Sequence, residues 1–62
     1  MSLPYEIVLK TEPEGGYTVN VPALPGCVTY GSDLEEAELN AKEAIELYVE
    51  SLKAHGEAVP SP

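Results

Sequence analysis

The sequence predicts an α+β domain, a three-stranded antiparallel sheet packed by one long C-terminal helix. Three observations predict it. Two alternating runs, Tyr5–Thr11 and Tyr17–Val21, flank a glycine-containing loop, the pattern of a β-hairpin. A Pro22-Ala23-Leu24-Pro25-Gly26 corner leads into a short run ended by Gly31. A capped segment then repeats apolar residues at helical spacing.

In the first run Tyr5, Ile7 and Leu9 alternate with Glu6, Val8 and Lys10, as in a half-buried strand whose second face, at Val8, is partly covered. Glu12-Pro13-Glu14-Gly15-Gly16 is a turn, because proline fixes one φ and glycine accepts positive φ. Tyr17, Val19 and Val21 share one face of the second strand. Two prolines remove two ladder donors, so Pro22–Gly26 is a stiff connection that places Leu24 between fixed corners. Cys27 to Tyr30 is the third strand, pairing with one of the first two. The helix is expected from Asp33 to His55. Ser32-Asp33-Leu34-Glu35 fits a capping box with Ser32 as the cap. Gly56 stops the helix, and Pro60 lies beyond it. Asp33, Glu35 and Glu36 suit the positive end, and Lys53 and His55 the negative end. Such a helix overhangs strands of about seven residues. Ala58–Val59 is a candidate for a brief fourth strand.

At about 100° per residue, Leu34, Ala37, Ala41, Ala44, Ile45, Tyr48 and Leu52 form the core stripe, flanked by Val49. Opposite it run Glu36, Glu43, Glu46 and Glu50, bordered by Leu39 and Leu47. Glutamates beside exposed leucines are a candidate docking surface. The bland alternative is a solvated face with two incidental leucines.

Sixty-two residues make one domain, expected to span 1–62. A core this small supplies about 3–5 kcal/mol. One cysteine allows no internal disulfide, and no zinc-spaced ligand cluster is present. Oligomerisation is the remaining support. Eleven carboxylates, three lysines and no arginine give a net charge of −8. That balance argues against direct nucleic-acid binding, which needs clustered lysine or arginine. It suits a basic protein partner. The chain opens without a basic start and apolar h-region and contains no membrane-length apolar run, which points to the cytoplasm.

Little in the chain resembles catalytic machinery. His55 sits where an imidazolium complements the helix dipole. Cys27 reads as a buried small hydrophobe, with no neighbouring cation to activate it. The acids fall on the outer helix face, the turn and strand margins rather than converging as two-metal chemistry requires. Tyr5, Tyr17, Tyr30 and Tyr48 lack the adjacent lysine or arginine of an RNA-stacking platform. No catalytic residue, metal or cofactor is expected.

Gly15-Gly16-Tyr17, Pro22-Ala23-Leu24-Pro25-Gly26-Cys27, Gly31, Glu35-Glu36-Ala37 and Asn40-Ala41-Lys42-Glu43-Ala44 occur in an order and spacing that resembles the N-terminal domain of HicB-like antitoxins. The resemblance covers about Tyr5 to Pro60. It implies a sheet-and-helix fold similar to a partial ribonuclease H core without an intact catalytic set, and a partner that is a small basic ribonuclease toxin of the HicA type. Three features depart from the family. Ala23 stands where many relatives carry an acid. Glu38-Leu39 reverses the usual Leu-Glu order, placing Leu39 outside and Glu38 near the core side. Many relatives also continue into a DNA-binding domain, whereas this sequence ends at Pro62, so self-contained promoter binding is not expected. The leading expectation is an antitoxin that masks a basic toxin without catalysis. The alternatives are a vestigial ribonuclease H-like metal-dependent hydrolase and a structural homo-oligomer without a toxin.

Overall fold

The computed structural model describes residues 4–61. Met1, Ser2, Leu3 and Pro62, counted in the same domain from sequence, lie outside the described residues. Strands β1 (Val8–Thr11), β2 (Tyr17–Asn20) and β3 (Val28–Gly31) precede a single helix, α1 (Leu34–Ala54). The sheet is antiparallel with β2 in the centre. The α+β expectation is therefore met, and the third strand pairs with the second.

The Glu12–Gly16 turn is closed by the Gly15 N–H donating to the Glu12 carbonyl at 3.0 Å. Gly15 and Gly16 both have positive φ. Glu12 N–H to Gly16 C=O continues the β1–β2 ladder, and Val21 N–H to Cys27 C=O continues β2–β3, each at 3.1 Å. Those bonds set the alternation of the antiparallel ladders. Lys10 and Thr18 form a hydrogen-bonded pair, whereas Leu9 and Thr11 turn their backbone groups away from β2. Likewise Thr29 bonds to Val19, and Tyr30 turns outward. The Asn40 amide donates to that outward Tyr30 carbonyl at 2.7 Å and so caps part of the β3 edge.

The helix lies over β3 and β2 and makes no close approach to β1. Val19, Ala37 and Ala41 are buried together where helix and sheet meet. A Cβ on Gly31 would overlap the backbone of Ala37, so glycine is required there for the two elements to touch. The 21-residue helix is about 31 Å long, against about 13 Å for a four-residue strand. Its overhanging half rests on a second cluster of Tyr5, Val21, Leu24, Cys27 and Ile45. Leu24 is 0% exposed. Its backbone is held by turn bonds, Leu24 N–H to Val21 C=O and Cys27 N–H to Leu24 C=O. Tyr48 secures the same corner by donating its hydroxyl proton to the Pro25 carbonyl at 2.7 Å.

Several sequence expectations require correction. The first strand begins at Val8 rather than Tyr5, because β2 ends at Asn20 and the chain before Val8 has no partner within the sheet. The third strand is shifted one residue, to Val28–Gly31. Asp33, not Ser32, caps the helix: its Oδ1 accepts from the Glu36 N–H at 2.7 Å. Glu36, not Glu35, reaches back and accepts from the Ser32 N–H at 3.1 Å. Leu34 is exposed, because the first helical residue lies beyond the end of the sheet. Ala58–Val59 forms no strand. The tail instead returns so that the Tyr5 hydroxyl donates to the Pro60 carbonyl. At the other helix end Gly56, with φ of 69°, bonds to the Lys53 carbonyl, and Glu57 N–H bonds to Leu52 C=O. These are the paired bonds of a Schellman stop.

Leu24→Ala should cost about 2–5 kcal/mol, comparable with the roughly 3–5 kcal/mol a core of this size supplies. Urea titration followed by circular dichroism should find it largely unfolded. Gly31→Ala should lose about 1–3 kcal/mol through overpacking. A Gly31→Ala chain as stable as the parent would show that helix and sheet separate at no cost.

Candidate partner-binding surface

The phase of α1 is fixed by Ala37, Ala41 and Ile45, its buried residues. Directly opposite, Glu36, Leu39, Glu43, Glu46, Leu47 and Glu50 occupy about 100° of the helix circumference at 100° per residue. All six are exposed, with Leu39 at 49% and Leu47 at 60%. The helix thus brings the six sequence-predicted residues onto one continuous face. Glu38 is half-buried on the core side, as its reversal with Leu39 suggests.

The six are not equivalent. Glu36 already accepts the Ser32 N–H, so its carboxylate serves the helix cap. Leu39 lies beside Asp33, Glu35, Glu36 and Asn40 in a shallow depression at the helix start. Glu43 and Leu47 lean toward β3, where Thr29, Asn40 and Ala44 complete a groove. Glu46 and Glu50 stand over a more apolar groove floored by Tyr5, Ile45, Val49 and Val59. Sequence reasoning missed that groove. Its floor joins the two ends of the chain through the Tyr5–Pro60 hydrogen bond, for which the sequence carries no local signal.

The remaining reactive residues are in structural positions. His55 Nδ1 lies 2.8 Å from the Ser51 carbonyl, which only accepts, so Nδ1 is the donor. Cys27 is buried, and desolvation raises its thiol pKa. Among the described residues no group of three or more His, Cys, Asp or Glu is placed to hold a metal ion. Nor is any described helix long and apolar enough to cross a membrane. This surface is a row of carboxylates with two exposed leucines among them.

A family model described as HicB_like antitoxin of bacterial toxin-antitoxin system matches residues 5–62. The chain is 50% identical over 58 residues to a UPF0150 protein of Thermoplasma acidophilum, spanning 94% of this chain and 84% of that one. A UPF0150 protein of Synechocystis is 48% identical over 56 residues, covering 90% and 71% of the two chains. One from Archaeoglobus fulgidus is 45% identical over 51 residues, covering 82% and 74%.

The Cys27 environment has a pH consequence. A thiol whose folded pKa is raised contributes stability that is present below its unfolded pKa and lost as pH rises through the folded value. The parent should therefore lose stability relative to Cys27→Ala on the alkaline side of the ordinary thiol range. Denaturant midpoints of the two chains across that range test this. Midpoints that stay parallel would place the thiol in contact with water.

Proposed function

The chain belongs to the HicB-like antitoxin family, and from that premise we propose that it binds and masks a small basic ribonuclease toxin of the HicA type, without catalysis of its own. The observation that carries this reading is the acidic face of α1. An RNA-cleaving protein must present cationic groups to phosphate. A face carrying Glu43, Glu46 and Glu50 around Leu47 complements such a surface in charge. Exposed leucines supply apolar area that is removed from water only when a partner closes over them. Masking then follows sterically, since cations engaged by glutamates are withheld from RNA. The complex would form in the cytoplasm, where the toxin meets its substrate, and the antitoxin would engage it as a homo-oligomer.

Purified partner, identified by intact mass after capture from the host, should cleave RNA alone and stop cleaving when this chain is added in stoichiometric amount. A captured partner with no RNA-cleaving activity, or cleavage that persists at saturation, would end the masking reading.

Reversal of Glu43 and Glu50 to Lys should slow association and flatten its salt dependence, because these charges act mainly on encounter. Leu39→Ala should speed dissociation, losing roughly 1–2 kcal/mol of affinity as a buried anchor would. Neither change should unfold the domain, since both positions lie opposite the core. Stopped-flow binding at several salt concentrations distinguishes the two effects. Unchanged rates in all these variants would move the interface off α1.

A further inference from the structure

The edge of β1 is the open end of this fold. Leu9 and Thr11 direct their N–H and C=O groups outward, by the alternation that the Glu12–Gly16 bond sets. The helix does not cover this strand. Val8 and Leu9 are 50% and 38% exposed. The outer edge of β3, by contrast, has the Tyr30 carbonyl capped by Asn40. β1 is short and carries one edge charge, Lys10, but it has neither a proline nor a bulge to stop a strand from pairing with it. Its sequence alternation starts at Tyr5, yet its paired portion starts only at Val8. Glu6 and Ile7 have strand chemistry but no neighbouring strand.

We propose that this edge pairs with the same edge of a second copy, antiparallel about a two-fold axis through Val8. Charge and backbone chemistry together select that register. Pairing centred on Thr11 would set Lys10 against the partner's Glu12, but it would place Pro13, which lacks an N–H, at a bonding position opposite Leu9. Pairing centred on Lys10 would oppose two ammonium groups. Pairing centred on Leu9 would set Glu6 against the partner's Glu12. Pairing centred on Val8 sets Glu6 of each chain directly across from Lys10 of the other, twice by symmetry. It also matches Ile7 with Leu9 as hydrogen-bonded pairs, in line with the outward direction of Leu9, and buries Val8 against its copy. The strand then lengthens to include Glu6 and Ile7, and the two sheets join into one of six strands. The acidic face of α1 stays free, because α1 lies over β3 and β2 and away from the joined edge. The pairing is independent of any toxin.

Sedimentation equilibrium of the full chain should show a concentration-dependent dimer. Lys10→Glu should weaken it about tenfold by replacing two attractive pairs with two repulsive ones. The double variant Glu6→Lys/Lys10→Glu should restore it. In a Cys27→Ala background, Val8→Cys should cross-link on mild oxidation, since directly opposed non-hydrogen-bonded residues have Cα atoms about 4.5 Å apart. Val28→Cys, equally exposed on β3, should not. Circular dichroism verifies that each variant is folded. A monomer at all concentrations, a dimer indifferent to Lys10→Glu, a charge swap that does not rescue, or cross-linking equal at the two cysteine positions would each overturn the assignment.

Discussion

Everything in this structure depends on how closely α1 approaches the sheet at Gly31. With no side chain there, the backbone of Ala37 can sit on the strand. Ala37 and Ala41 are the residues small enough to keep that contact flush against Val19. The contact fixes the rotational phase of the helix, and phase decides which side chains meet water. A rotation of one residue, about 100°, would turn the core stripe to the flank and carry the glutamates toward the sheet. Burying unpaired carboxylates costs far more than a domain of this size can supply. The acidic face is therefore a consequence of the alanine–glycine contact as much as of the glutamates themselves.

That contact alone would leave most of the helix unsupported. The Pro22–Gly26 corner solves this by folding Leu24 beneath the overhang, where Ile45 meets it and Tyr48 ties the corner through Pro25. Two short turns replace what a longer sheet would otherwise provide. The arrangement has a cost at the opposite side. The helix covers β3 and β2, so β1 is left with both faces and one edge in solvent. A small sheet with a single helix cannot protect all its strands, and the protection it has is spent on the central strand and on β3.

The sequence made the elements legible because each carries its own local chemistry. The two glycines of the turn, the prolines of the corner and Gly56 after the helix are each tied to a backbone conformation, and each lies where expected. The six-residue outer face was legible too, since helical phase follows directly from spacing. Boundaries were less legible where two residues have similar chemistry. Ser32 and Asp33 can both cap, and the geometry chose Asp33, which moved the reciprocal carboxylate from Glu35 to Glu36. Leu34 fits the apolar period, but no sheet extends far enough to cover it. The Asn40–Tyr30 and Tyr5–Pro60 hydrogen bonds were invisible, because they join residues whose proximity exists only after folding.

The two surfaces left open differ in kind, and that difference bears on how this chain works. The face of α1 offers charge and long flexible side chains, which attract a partner from a distance and tolerate its detailed shape. The edge of β1 offers backbone groups at fixed spacing, which accept only another strand in one of a few registers. A surface of the first kind suits a cationic partner, and one of the second kind suits a copy with a matching edge. Because the two lie on different sides of the molecule, occupying one does not obstruct the other. Joining two chains at β1 would then present two acidic faces on one rigid sheet. A partner bearing more than one cationic patch would meet both at a high effective concentration. The short core, the bare edge and the acidic helix are thus compatible with a single arrangement, in which self-pairing supplies the support a small domain lacks while the helix remains available.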